Sequence, residues 1–318
     1  MMKQKIFRPL AKIASPGGAK GKLQIFIFHR VLDKPDALIP YEPDVQRFDS
    51  IINAISSVFN VIPLDEAVQA LNSGCLPPRA ACITFDDGYA DNYTNALPVL
   101  LKYRVPTTVF IATDYIGGQA MWNDVVIESI RAFSGEFTLE SLNIFARECH
   151  TDEQKYTLIN QVLNDIKHRP QAERQELVEQ VKSDCDHYMQ PLMMNEEQIK
   201  GLYESGVIIG AHTRSHPILA NLDDSTSYEE IATSREILSG LLKDNIELFA
   251  YPNGKPVSDY TDKDVENVRK AGFSAAVSTR QSVATGNDDV FQLPRFSPWD
   301  MNLDKYLLRS IYENFRAR

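Results

Sequence analysis

Short apolar runs alternate along the chain with longer amphipathic segments. The apolar runs lack an alternation of polar and apolar positions, which predicts strands covered on both faces. They span residues 23–28, 81–85, 107–112, 207–211, 248–251 and 274–277. The amphipathic segments predict helices over residues 44–58, 92–103, 228–242 and 262–271. This order predicts an α/β fold of βαβ units, a distorted (β/α) barrel of about seven strands around a parallel sheet.

Residues 122–200 interrupt this alternation. They contain no strand-like run but several amphipathic patterns, such as residues 151–166 and 172–181, which are rich in Glu, Gln and Lys. We therefore expect a helical insertion within a single domain that spans residues 1–318. Its dense charges are typical of a solvated helix face rather than a binding surface.

The charge balance narrows the classes of partner. The 318 residues include 43 acidic and 33 basic side chains, which gives a formal net charge of −10. Because these charges are not gathered into runs, the balance argues against a nucleic-acid binder and favours a neutral or cationic polymer. The cysteines form no CxxC pair, which favours a reducing compartment; they are Cys75, Cys82, Cys149 and Cys185.

The first residues are basic, with Lys3, Lys5, Arg8 and Lys12 around a few apolar positions. Arg8 and Pro9 interrupt the apolar stretch, which leaves it too short for a secretory signal, and no segment approaches the ~20 apolar residues of a membrane span. We therefore expect a cytoplasmic protein without a transmembrane segment. Weak contact with an anionic membrane surface is one interpretation of the basic start, and a frayed, solvated terminus is the favoured one.

Polar side chains follow several of the predicted strands. Asp86 and Asp87 come directly after residues 81–85, and His212 and His216 come after residues 207–211. His29 follows residues 23–28 in the same way. The carboxyl ends of parallel strands meet at one rim, so these side chains are expected to lie together. Two imidazoles and one carboxylate can hold a metal ion, and the second carboxylate is then free to accept a proton.

Each of these segments also has a purely structural explanation. An Asp-Asp-Gly step is typical of a turn, since Gly88 permits a sharp change of direction. Two histidines four positions apart are more common on a surface helix than as a ligand pair. Both segments directly follow predicted buried strands, however, and this coincidence favours a site for metal-assisted hydrolysis.

The segment Thr-Phe-Asp-Asp-Gly at residues 84–88, followed much later by His-Thr-Arg-Ser-His at residues 212–216, resembles the first two motifs of the NodB-like polysaccharide deacetylase superfamily. The resemblance implies that Asp86 is the general base and that Asp87, His212 and His216 bind the metal ion. Residues 249–254, Phe-Ala-Tyr-Pro-Asn-Gly, are similar to the following motif, whose backbone helps to hold the reaction oxyanion. The resemblance covers roughly residues 23–120 and 200–300.

The position of the catalytic acid departs from the usual family pattern. Most members supply it from a histidine near the C-terminal end of the domain, whereas the last histidine here is His216. Exopolysaccharide and poly-N-acetylglucosamine deacetylases have a permuted motif order with this histidine on an early strand. The segment at residues 25–31 resembles that strand, so His29 is expected to be the general acid. The structural alternative is a hydrogen-bonded histidine at the barrel rim.

Five further positions are predicted around the substrate. Arg295 is expected to orient the Asp86 carboxylate and keep it ionised. A backbone N–H near Tyr251 is expected to stabilise the oxyanion, and Tyr251, Pro252 and Asn253 are expected to contact substrate. Trp299 offers an apolar face for a sugar ring or an acetyl methyl group.

Together these features predict a metal-dependent N-deacetylase that acts on an N-acetylated glycan or glycan precursor. Zinc is the expected divalent ion, and cobalt, nickel, iron and manganese suit the same ligands. A cytoplasmic site of action favours a lipid-linked or nucleotide-linked intermediate of exopolysaccharide or lipopolysaccharide-type synthesis. Two alternatives stay open: a hydrolase of cyclic amides or ureides, and a catalytically silent glycan-binding barrel.

Overall fold

The computed structural model describes residues 4–185, 190–298 and 300–317. Its strands are β1 Gln24–Phe28, β2 Asn60–Val61, β3 Ala80–Phe85, β4 Thr107–Ile111, β5 Glu136–Leu139, β6 Ile144–Glu148, β7 Ile208–Ala211, β8 Leu248–Ala250, β9 Ala275–Gln281 and β10 Leu293–Arg295. Its helices are α1 Gln4–Ala14, α2 Val45–Val58, α3 Leu64–Asn72, α4 Leu97–Tyr103, α5 Trp122–Ala132, α6 Asp152–Ile166, α7 Gln171–Cys185, α8 Glu196–Glu204, α9 Asp224–Leu242, α10 Asp262–Lys270 and α11 Leu303–Arg316.

The main sheet is parallel and nearly closed into a barrel. Its strand order is β1-β3-β4-β7-β8-β9-β10, and β2 pairs with the start of β3. The two ends approach each other where Phe296 donates its N–H to the carbonyl oxygen of Ile25 at 2.9 Å. Next to this bond, Ser297 Oγ accepts from the N–H of Ile27 at 2.7 Å. The predicted α/β barrel of about seven strands is confirmed.

Both faces of the strands are buried, as their apolar patterns indicate. On the outer face, Phe28 of β1 and Phe85 of β3 pack with Phe48 of α2, with ring centroids 5.4 to 5.7 Å apart. Ile25 and Phe110 belong to a second apolar cluster, formed by the opposite faces of the strands together with α3. This double coverage fixes the strand ends that carry the polar motifs.

The insertion is not wholly helical, so the expectation that residues 122–200 contain no strand is wrong. β5 and β6 form an antiparallel hairpin between α5 and α6. In β5 the exposed Glu136 and Thr138 alternate with the buried Phe137 and Leu139. Such a short alternating run carries little signal among charged residues. The buried side chains pack with α5, α6 and α7 in an apolar cluster of their own.

The N-terminal segment forms a docked helix rather than a frayed end, which corrects the favoured interpretation of its basic sequence. Phe7, Ala11 and Ala14 are buried along one stripe of α1. This stripe packs α1 against α2 and α11. Among the residues that the structure describes, no helix is both long enough and apolar enough to cross a membrane.

Candidate active site

The side chains of Asp86 and Asp87, directly after β3, point in different directions because the backbone turns sharply at Asp87 and Gly88. Asp87 has a φ of 75° and Gly88 a φ of 94°, both in the left-handed region. A side chain at position 88 would also lie 3.2 Å from Cγ2 of Ile111. The turn therefore depends on glycine and separates the surroundings of Asp86 and Asp87.

Asp87, His212 and His216 form a cluster that could hold a metal ion. One ligand atom from each residue lies within 4.8 Å of the other two. The Nε2 atoms of His212 and His216 each lie 3.4 Å from Oδ1 of Asp87. His212 donates from Nδ1 to the carbonyl oxygen of Ala250 at 2.7 Å, which leaves Nε2 as the lone-pair nitrogen. The cluster presents one oxygen and two ring nitrogens, a set that suits zinc and neighbouring transition metals.

The protonation states of this cluster also suit a cation. Burial lowers the pKa of His216 to about 4, so its ring is neutral near pH 7. Burial would raise the pKa of Asp87, but the nearby histidines outweigh it and hold that pKa well below its usual value. An ionised, buried carboxylate beside the neutral imidazole of His216 suits the binding of a divalent ion.

The histidine segment is a loop, not a surface helix. Thr213 and His216 take left-handed φ values of 61° and 55°. Glu230 of α9 holds the loop from below, since its carboxylate accepts from the N–H groups of Arg214 at 3.0 Å and Ser215 at 2.8 Å. Ser215 Oγ donates to the same carboxylate at 2.7 Å. This anchoring turns both histidines toward Asp87.

Asp86 is bonded to Arg295 inside the barrel. Nη1 and Nη2 of Arg295 donate to the two carboxylate oxygens at 2.6 Å each, and both side chains are buried. Arg295 is itself fixed by donating from Nε to the carbonyl oxygen of Ser278 at 3.0 Å. Burial would raise the pKa of Asp86, but the Arg295 charge outweighs it and lowers that pKa. Asp86 is therefore ionised and held in one orientation.

His29 lies on the wall of the same cavity, after β1. Burial alone would lower the pKa of its ring, but the carboxylates of Asp87, Glu42 and Asp86 outweigh burial and raise that pKa. Glu42 accepts from the N–H of Arg30 at 3.1 Å, which places its carboxylate beside His29. A raised pKa keeps the imidazole charged to higher pH, as a proton donor requires.

The motif residues open into a cavity of about 340 Å³. His29, Asp86, Asp87, His212 and His216 all line it. The insertion forms much of the remaining wall through Trp122, Asn123 and Asp124 at the start of α5 and through Leu163, Asn164 and Lys167 near the end of α6. The expectation that the insertion offers only a solvated face is wrong for this part of it. The site is a walled cavity rather than an open strand rim.

The residues after β8 that are predicted to contact substrate do not all line the cavity. Asn253 lines the cavity and has a left-handed φ of 59°. Pro252 is buried and does not line it. Trp299, predicted as an apolar platform, lies outside the described residues.

Tyr251 belongs to the core rather than to the cavity wall. Its ring is fully buried and stacks on Tyr260, with centroids 3.8 Å apart. Its hydroxyl donates to the carbonyl oxygen of Phe291 at 2.9 Å, and its N–H donates to that of Val277 at 3.2 Å. Because the N–H of Tyr251 is used within the sheet, the oxyanion donor expected near Tyr251 must be a neighbouring N–H.

The sequence interpretation missed a polar pair in the cavity wall. The hydroxyl of Tyr89 donates to both carboxylate oxygens of Asp124 at 3.1 Å. Burial raises the pKa of Asp124 to about 7. The position of this segment in the chain could have indicated the pair. The segment that carries Trp122 and Asp124 follows the carboxyl end of β4, at the same rim of the barrel as the motifs.

Comparison with known proteins agrees with this architecture. The family model for polysaccharide deacetylase matches residues 73–276, and the chain belongs to that family. The Bacillus subtilis protein YxkH is 22% identical over 276 residues, which cover 86% of this chain and 70% of YxkH. The poly-beta-1,6-N-acetyl-D-glucosamine N-deacetylase of Staphylococcus epidermidis is 39% identical, but only over 62 residues, or 20% of this chain and 22% of that enzyme.

Solved structures share the fold. The Streptococcus pyogenes deacetylase PplD, in complex with acetate, superposes with a TM-score of 0.61 at 17% identity and covers 91% of this chain and 98% of its own. IcaB from Ammonifex degensii gives a TM-score of 0.58 at 20% identity and covers 92% and 97%. These likenesses extend over nearly the whole chain and therefore include the insertion.

Proposed function

We propose that this protein is a metal-dependent hydrolase that removes N-acetyl groups from an amino sugar in a glycan or glycan precursor. The proposal rests on one observation above the others: Asp87, His212 and His216 converge on one point. Beside them lies a second, ionised carboxylate that takes no part in the cluster. Membership of the polysaccharide deacetylase family supports the choice of substrate class.

Asp87, His212 and His216 are the residues that would hold the ion. The bound ion would polarise the amide carbonyl and make a water molecule more acidic. Asp86 accepts a proton from the attacking water as the oxygen–carbon bond forms, and Arg295 keeps Asp86 ionised and oriented for this step. His29 in its charged form donates a proton to the nitrogen as the carbon–nitrogen bond breaks. The products are acetate and a free amino group.

The oxyanion requires a hydrogen-bond donor on the cavity wall. The main-chain N–H of Asn253 is our candidate, because Asn253 lines the cavity and the residue before it is a proline without an N–H. The N–H of Tyr251 is still bonded within the sheet. The left-handed conformation of Asn253 then changes the direction of the backbone just after β8. The N–H of Asn253 lies two residues after Tyr251, within the segment that the sequence motif indicates.

The test measures acetate release from a panel of N-acetylated monosaccharides, nucleotide sugars and oligosaccharides. The enzyme is first stripped with chelator and then supplied with one divalent metal at a time. We expect acetate only with restored metal, and only traces from Asp86→Asn at unchanged metal content. Acetate release that is equal with and without metal, or equal in Asp86→Asn, contradicts the proposal.

A further inference from the structure

Helix α1 presents an apolar stripe to solvent. Ile6, Leu10 and Ile13 are 64%, 36% and 68% exposed. Their spacing of four and three places them on one side of the helix, next to the buried stripe that docks α1 on the barrel. These side chains are held outward by a fixed helix and are not the apolar residues of a loose terminus.

The same segment has the opposite charge to the rest of the protein. Residues 3–22 include six Lys or Arg residues and no Asp or Glu, although the whole chain carries a formal charge of −10. Arg8 and Lys12 are exposed on the side of α1 away from the apolar stripe, and neither forms an ion pair with the residues that the structure describes. Arg79 lies near Arg8 and adds to the positive surface.

The neighbouring helix has a similar outer face. Leu308, Tyr312 and Phe315 of α11 are 48%, 59% and 51% exposed and again follow a spacing of four and three. Arg316 lies over the Tyr312 ring at 5.9 Å from its centroid. Two helices in contact therefore each expose apolar side chains together with cations, an arrangement typical of surfaces that bind at a lipid interface.

We propose that α1 is a docking surface for an anionic phospholipid membrane, with Ile6, Leu10 and Ile13 entering the interface and Arg8 and Lys12 at the level of the headgroups. At 11 residues, α1 is about 16 Å long and would lie in the membrane plane. The surplus of positive charge argues against a second copy of the chain on this face, because the same cations would oppose each other across a twofold interface.

The test is co-sedimentation of the full chain with vesicles. One set contains phosphatidylcholine mixed with phosphatidylglycerol, and the other contains phosphatidylcholine alone. We expect binding to the mixed vesicles, weakened by added salt, and much less binding to the neutral ones. The variant Arg8→Gln/Lys12→Gln should bind the mixed vesicles about thirty-fold more weakly, since each cation near an anionic surface strengthens binding about fivefold.

The apolar stripe is tested by Ile6→Gln/Leu10→Gln/Ile13→Gln, which we expect to lose about a hundredfold or more in binding. The matched control is Leu101→Gln/Phe145→Gln/Ile237→Gln, three apolar side chains exposed elsewhere on the molecule. All variants should keep the wild-type melting temperature and release acetate from a small soluble substrate at the wild-type rate. Binding that is equal in the stripe variant and the control, or equal on both kinds of vesicle, overturns the proposal. So does a dimer in solution that the stripe variant abolishes.

Discussion

Arg295 and Asp86 form a buried, bidentate salt bridge that joins the last strand of the barrel to the motif after β3. Both N–O distances are 2.6 Å, and the guanidinium is fully shielded from solvent. A carboxylate held in this way cannot rotate, and it stays ionised in spite of its burial. The proposed proton acceptor is thus positioned by a residue more than two hundred positions away in the sequence.

Arg295→Lys is therefore expected to impair catalysis while sparing the metal cluster. A lysine keeps the charge but loses the two-bonded geometry, so kcat/KM should fall about a hundredfold at unchanged metal content. The side-chain hydrogen bonds from Arg295 also lower the pKa of Asp86, so the loss of one of them should raise that pKa and move the acidic limb of the pH profile to higher pH, although lysine keeps the charge.

The control for this change is Arg269→Lys, since Arg269 also bonds both carboxylate oxygens of one aspartate, Asp289, but does so from Nη2 alone and on an exposed surface. Its pH profile should match that of the wild type. An unshifted acidic limb in Arg295→Lys would reduce Arg295 to a purely structural role.

Removal of the Glu42 charge tests how His29 is kept protonated. Glu42 helps to raise the pKa of His29, so Glu42→Gln should lower it and move the alkaline limb of the pH profile to lower pH. His29→Gln should reduce kcat about a hundredfold or more and abolish that limb, because no proton donor is left to titrate. Glu140→Gln, an exposed carboxylate of the insertion, is the control. If the alkaline limb of Glu42→Gln matched that of the wild type, Glu42 would not be a residue that keeps His29 protonated.

The barrel could be predicted from sequence because its strands are buried on both faces and therefore give uninterrupted apolar runs, such as residues 81–85. The convergence of Asp87 with His212 and His216 followed from the same pattern, since parallel strands end at one rim. The last strand of the barrel was harder to predict. β10 is three residues long and includes Pro294, so its apolar run is too short to recognise.

Features that depend on tertiary packing could not be predicted in this way. The N–H of Tyr251 is occupied by Val277, a strand partner that no local pattern identifies. Trp122 and Asp124 enter the cavity only because the insertion folds back over the rim. Their own segment looks like any amphipathic helix, and periodicity reports which face is buried but not what it is buried against.

The position of Trp122 on the cavity wall predicts a role in binding rather than in chemistry. Trp122→Ala should raise KM for a glycan substrate about tenfold with little change in kcat, because an aromatic face that packs on a sugar stabilises ground state and transition state alike. Phe145→Ala removes an exposed aromatic side chain from the same insertion and should leave both constants unchanged. A fall in kcat with unchanged KM would contradict this division of roles.

Asp124 makes the stability of the metal-free protein depend on pH in a direction opposite to that of Asp86. Its pKa is about 7 in the folded state against 3.8 for the ordinary group, so the folded protein holds this proton more tightly than the unfolded chain does. The resulting stabilisation is complete below about pH 4 and is lost as the pH rises through 7.

Asp124→Asn stays neutral and can still bond to Tyr89. It should therefore gain stability relative to wild type between pH 4 and pH 8, by up to about 4 kcal/mol. Urea unfolding at both pH values in chelator measures this difference, with the exposed Asp152→Asn as control. A constant offset between Asp124→Asn and wild type across this range would show that Asp124 does not carry the proton.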